Sequence, residues 1–232
     1  MIARVSILVA LATMAGCTTV PVTTAARPDS YYSDVATDES AASLFSGDEA
    51  VLSDADIERI LAFDYSPPAL SRIALMPFGR EVWSTWSEEL SAASEQTRKD
   101  VVGELMSSAK VYDASYLPSI LIPDKKTVSY LREAAARYQA DLLMVYRSYC
   151  RSFERYRLFS ADQSRAYCGV EAVLIDTRTG LVPFTSSTSS TFDLTEDASD
   201  ISFRETILKA QQEAVTRALA DVSKEVVAFL AR

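Results

Sequence analysis

Leu142-Leu-Met-Val-Tyr-Arg-Ser-Tyr-Cys-Arg-Ser-Phe-Glu-Arg-Tyr-Arg-Leu158 is the stretch on which the fold turns. Its first five residues are apolar throughout, the mark of a strand covered on both faces. From Arg147 onward polar and apolar residues alternate, the mark of a strand with one face outward. The run is far longer than the roughly 5–6 residues of an ordinary strand. Ala166 to Asp176 reads as its antiparallel return, and Leu181 to Phe192 pairs again. Asp176-Thr-Arg-Thr-Gly180 joins the last two strands, with Asp176 able to bond its own loop and Gly180 free to take positive φ.

Upstream, Ser53-Asp-Ala-Asp56 is a loose capping box before Ile57, Ile60 and Leu61, so a short helix is expected there, ended by Pro67-Pro68. Arg72 to Phe78 reads as a buried strand. Thr85 to Ser108 reads as an amphipathic helix on Leu90, Thr97, Val101 and Leu105. Lys110 to Ala114 is a short strand, and Thr127 caps a helix running to Gln139. Ile201 to Ala231 carries Ile207, Ala210, Ala214, Ala218, Val222 and Phe229 at helical spacing and is the dominant packing helix. The order α-β-α-β-α-β-β-β-α gives an α/β (α+β) class: a single mixed sheet with a long antiparallel hairpin, packed by amphipathic helices including a long C-terminal one. The sequence holds no internal repeat, spanning run or glycine-rich phosphate loop.

At the other end of the chain, Arg4 precedes an apolar run from Val5 to Ala15, and Ala15-Gly16 abut Cys17. The run falls short of the ~20 residues of a spanning helix and reads as an export signal. It resembles the lipobox of bacterial lipoproteins, whose cleavage needs small residues at the two positions before the cysteine; Met14 stands where Leu is commoner. The resemblance implies residues 1–16 as signal peptide and Cys17 as lipid attachment site. With Thr18 rather than Asp next, it implies an outer-membrane anchor facing the periplasm. Residues 17–52, mostly Thr, Ser, Ala, Pro, Asp and Glu, read as a flexible tether before a domain over 53–232. A minority reading docks Tyr31, Tyr32, Leu44 and Phe45 on the domain or on a partner.

The chain has 23 Lys+Arg against 32 Asp+Glu. Loss of residues 1–16 takes Arg4 and leaves a net charge of −10, which disfavours nucleic acid as a partner. Histidine is absent altogether, which excludes Ser-His-Asp and Cys-His catalysis and His-ligated metal sites. With Cys17 lipidated, Cys150 and Cys168 remain, and an even pair in an oxidising compartment suggests a disulfide; two unrelated buried thiols are the alternative. No carboxylate pair is placed to split into an acid and a base: Glu88-Glu89, Asp54 with Asp56, and Glu196-Asp197 read as solvated neighbours. Trp83 and Trp86 read as an edge of the core or as exposed anchors.

Arg147, Arg151, Arg155 and Arg157 fall at period two, interleaved with Tyr149 and Phe153, and Arg165 lies past the turn. Within an acidic chain this is the strongest local charge anomaly. Arginine forks match carboxylates or phosphates, and rings beside them add stacking, so these residues are the candidate partner-binding face. The alternative is an exposed sheet face whose arginines stack on neighbouring rings and pair with Glu154, Glu171 or Asp162 for little energy.

Four segments in order carry a second resemblance: Arg72-Ile-Ala-Leu-Met-Pro-Phe78, Leu131 through Val145, Val170 through Gly180, and the alanine-rich closing helix. This set resembles the α/β domain shared by the TolB amino-terminal domain, LpoB-type activators of penicillin-binding proteins and the curli secretion lipoprotein CsgG. Where that group has Gly before the central strand's Ala-Asp, this chain has Gln139, so the helix needs another cap. The expectation is a non-catalytic lipoprotein, without cofactor or metal, held to the membrane by its lipid and acting as an interaction or assembly module of the cell envelope. A homo-oligomeric secretion or channel-associated ring is the second reading and a histidine-free hydrolase the third.

Overall fold

The computed structural model describes residues 32–34, 43–44, 52–79 and 87–232. A mixed sheet is packed by three helices, with a fourth, α1, lying exposed: β1 (Tyr32–Asp34), α1 (Asp54–Leu61), β2 (Ser71–Pro77), α2 (Glu88–Met106), β3 (Val111–Tyr116), α3 (Val128–Arg137), β4 (Leu142–Arg155), β5 (Gln163–Asp176), β6 (Phe184–Thr195) and α4 (Phe203–Leu230). The sheet order is β3-β2-β4-β5-β6. β2 is parallel to both β3 and β4, whereas β4, β5 and β6 run antiparallel.

Alternation along the strands divides the core in two. Ile73, Leu75, Leu142, Met144 and Tyr146 point to the side where α2 and α4 lie. Ala74, Met76, Leu143 and Val145 point to the other, against Val128, Leu131 and Ala135 of α3. That is why the opening of β4 is apolar at every position.

The helices differ in reach. α4 has 28 residues, about 42 Å, and follows the hairpin along its length: Gln211 bonds Ser152, the Thr188 hydroxyl donates to the Ala218 carbonyl, and Phe229 stacks on Phe184 at 5.0 Å. α3 has 10 residues, about 15 Å, against the roughly 46 Å of the 14-residue β4. Among the described residues no helix covers the α3-side face of the hairpin beyond Tyr146, and the change of pattern at Arg147 marks that boundary.

Several expectations need correction. β4 ends at Arg155, not Leu158, because the chain folds into a turn in which Arg157 N donates to Asp162 Oδ1 at 2.7 Å. β5 begins three residues earlier than read, and β6 is shifted to Phe184–Thr195. α2 is capped by Ser87, whose hydroxyl accepts from Leu90 N at 3.3 Å. Thr127 holds the N-cap position of α3, but its buried hydroxyl has no partner; Val128 N donates instead to the Leu44 carbonyl at 3.2 Å. Leu44 thus belongs to the domain, and Tyr32–Asp34 pairs antiparallel with Glu154 to Ser152, so the stretch read as a tether supplies two pieces of the fold.

α3 ends without glycine. Gln139 takes φ 59°, Ala140 N donates to Ala135 O at 2.9 Å and Gln139 N to Ala136 O at 3.0 Å, a Schellman closure with a side chain in the left-handed position. The β5–β6 connection follows the sequence reading: Asp176 Oδ1 accepts from Thr179 N at 2.7 Å, and Gly180 takes φ 77°. Arg132 of α3 clamps it by donating to the carbonyls of Thr177 and Arg178. Ser53 caps α1 through Asp56, as its capping box implies.

Candidate functional site: an arginine and tyrosine face on the hairpin

Odd-numbered residues of β4 past Tyr146 share the uncovered face with their partners on β5 and β6. Register places Arg147 beside Glu171, Tyr149 beside Gly169, Arg151 beside Tyr167, Phe153 beside Arg165 and Arg155 beside Gln163. Tyr167 in turn faces Thr191, and Arg165 faces Asp193. Five of the six candidate residues are brought together by this pairing. Arg157 is not: it lies beyond the strand, with Nη2 donating to Gln163 Oε1 at 2.9 Å.

The arginines are not equivalent. Arg147 reaches Glu171 at 2.7 Å, and Arg165 grips Asp193 with Nε at 2.6 Å and Nη2 at 3.2 Å. Arg151 is exposed and, among the described residues, its guanidinium forms no hydrogen bond or ion pair. It stands at a cleft of about 590 Å³ lined by Tyr149, Arg151, Phe153, Arg165, Tyr167 and Thr191. Tyr149 and Tyr167 are 43% and 41% exposed, each offering part of a ring to solvent. Arg147 and Arg165 are spent on neighbouring carboxylates, whereas Arg151 has no carboxylate partner among the described residues and stands opposite Tyr167.

Tyr167, Thr191 and Gly169 were missed from sequence. Gly169 carried a signal, since glycine inside a strand often marks a close approach. Here an ideal Cβ on Gly169 would fall 2.2 Å from Tyr149 Cζ and 2.3 Å from its Oη. The missing side chain makes room for the ring across β5. On the reverse face the next pair along, Cys150 and Cys168, is bonded, with Cα atoms 4.2 Å apart. The disulfide read from cysteine count is present, and it locks the two strands behind the tyrosines.

A second cavity, of about 500 Å³, lies between α2, α4 and the end of β6. At its edge Lys209 Nζ sits 2.7 Å from Asp200 Oδ1 and 2.6 Å from Glu89 Oε2. Burial works against the ammonium, but the bonds to Asp200 and Glu89 outweigh it and hold Lys209 above its ordinary range. Burial likewise opposes the Asp200 carboxylate, and bonds from Lys209 and Thr206 hold it below the usual carboxylate value. Tyr65, partly buried and donating to Asp176 Oδ2, is pushed up to about 12 by that burial and by the carboxylate beside it. A lysine or tyrosine with a raised pKa stays protonated at neutral pH and does not serve as a general base.

Cys17, Tyr31, Phe45, Trp83 and Trp86 lie outside the described residues. Among the described residues, no helix is long and apolar enough to cross a membrane, and no group of His, Cys, Asp and Glu is placed to hold a metal ion.

No family model matches the chain, and no curated protein matches it. Similar solved structures include the protein CT253 of Chlamydia trachomatis, 12% identical over 70% of this chain and 98% of that one, with a TM-score of 0.42. The PelC dodecamer of Paraburkholderia phytofirmans is 14% identical over 68% of this chain and 94% of that one, with a TM-score of 0.33. The C-terminal domain of LpoB from Salmonella enterica is 9% identical over 57% and 90%, with a TM-score of 0.28. At this level of likeness, function has to be read from the chain's own residues.

Proposed function

We propose that the protein is a non-catalytic lipoprotein of the cell envelope, anchored by acylated Cys17 in the outer membrane and facing the periplasm, where its domain acts as a protein-interaction or assembly module through the open hairpin face. The observation that carries the binding reading is Arg151, an arginine without a carboxylate partner among the described residues, set between two half-exposed tyrosines in an open cleft. A guanidinium flanked by rings recognises a carboxylate and an apolar or planar group together. The export signal and the Cys150–Cys168 bond both fit an oxidising compartment. The lysine and tyrosine with shifted pKa values are both held protonated, which speaks against a hydrolase built on either.

Photo-crosslinking in cells from position 167 tests the reading. A discrete adduct that Arg151→Glu abolishes, with Arg147→Ser as a milder companion, is the expected result. Absence of any adduct, or an adduct indifferent to Arg151, overturns it. Palmitate labelling tests the anchor separately, and Cys17→Ser should remove the label.

A further inference from the structure

The structure leaves a second surface unpartnered. Helix α1 has no buried residue, and Ile57 (42% exposed), Ile60 (38%) and Leu61 (80%) form an apolar stripe continued by Phe63 (50%). Isolated eight-residue helices are marginal in water, so a stripe of this kind gains most by packing against something. Its rim is acidic. Arg59 is engaged with Asp56 at 3.1 Å, while Asp54, Glu58 and Asp64 have no ionic partner among the described residues. The chemistry that fits α1 is therefore apolar or aromatic, with positive charge beside it. That is the chemistry of the hairpin cleft, whose rings are Tyr149, Phe153 and Tyr167 and whose free cation is Arg151.

The two surfaces do not meet within one chain. Tyr65, four residues past α1, donates to Asp176 at the far end of β5, nine residues or about 30 Å from Tyr167. Two complementary patches at opposite ends of one molecule make a heterologous, head-to-tail contact that repeats until it closes into a ring or extends as a fibre. An anionic membrane is a poor occupant for α1, because its free charges are carboxylates.

Building on the binding role of the hairpin face, we infer that its occupant is helix α1 of a second copy of this chain, with Asp54 and Glu58 set against Arg151 and the Ile57, Ile60 and Leu61 stripe against the tyrosines. Self-association then sets every copy in the same relation to the next and leaves one α1 free at one end of an open assembly and one cleft free at the other.

Sedimentation velocity of the full chain carrying Cys17→Ser, over a wide concentration range, tests this with two charge reversals. Arg151→Glu alone and Asp54→Arg with Glu58→Arg alone should each weaken association by about tenfold or more. An equimolar mixture of the two variants should regain it, since each reversed cleft then meets a reversed helix and each native cleft a native helix. Concentration-independent sedimentation of the parent, parent-like association of either variant, or a mixture that stays dissociated overturns the inference. If the position-167 adduct contains a different protein and remains Arg151-dependent while the parent stays monomeric, the binding face stands and only self-association is lost. Loss of both removes the face as a binding site.

Discussion

The Tyr149 ring occupies the space that a side chain on Gly169 would fill, 2.2 Å from where that Cβ would stand. One missing methyl on β5 thus determines how a tyrosine on β4 is presented, and Arg151, two residues further on, shares the cleft that this ring borders.

Gly169→Ala should push Tyr149 off the sheet. Overpacking of this kind costs about 1–3 kcal/mol, and the adduct from position 167 should fall with it. Gly103→Ala is the control: a Cβ there meets nothing within 4 Å, and within a helix the change should stabilise by up to about 1 kcal/mol. Thermal melts of both variants beside the crosslinking yield check the pair.

Removing the Cys150–Cys168 bond opens a loop with a sequence separation of 18, for which chain entropy gives a loss of about 3 kcal/mol. For a domain of this size that lowers Tm by roughly 6–12 °C. Differential scanning calorimetry of the Cys150→Ser, Cys168→Ser double variant measures it. A further drop on adding reductant to that variant would be inconsistent with this bond as the source.

Lys209→Met leaves the Asp200 side chain, 1% exposed, as a buried carboxylate without its cation, a loss of about 3 kcal/mol. Removing both charges should cost less than the two single changes summed, because the orphaned charge is then gone. The pH dependence has a fixed sign. Asp200 is held below its ordinary 3.8, so its contribution is fully present above that value and is lost as pH falls through the folded-state pKa beneath it. Urea midpoints taken from neutral pH down into that acid range should fall less steeply for Asp200→Asn than for the parent.

Gln139 sits at φ 59°, a conformation that disfavours any side chain. Gln139→Gly keeps the Schellman bonds and removes about 1 kcal/mol of backbone strain, so the melting temperature should rise by about 2–4 °C. Gln139→Val should lower it. Melting curves of the two variants decide the matter.

Much of the fold was legible because period and turn chemistry are local. The apolar opening of β4, the Asp176 to Gly180 turn, the capping box at Ser53 and the helical spacing of α4 each announce themselves within a few residues. The errors came where a distant segment overrides a local signal. Thr127 holds the N-cap position without using its hydroxyl as a cap, and the Leu44 carbonyl, from more than eighty residues away in sequence, accepts from the first helix N–H, that of Val128. Arg157 keeps the period of the arginine row but leaves the strand, because Asp162 pulls the backbone into a turn.

The residues alone determined that this chain has a cysteine behind an apolar leader, no imidazole chemistry, a long hairpin and a row of arginines on one side of it, since composition and periodicity depend only on what is written in order. Which arginine is free depended on tertiary structure. Cross-strand register gave Glu171 to Arg147 and Asp193 to Arg165 and placed a tyrosine beside Arg151, and the short reach of α3 left that face open. Register joins residues tens of positions apart and helix length decides coverage, so neither could be read from any single segment.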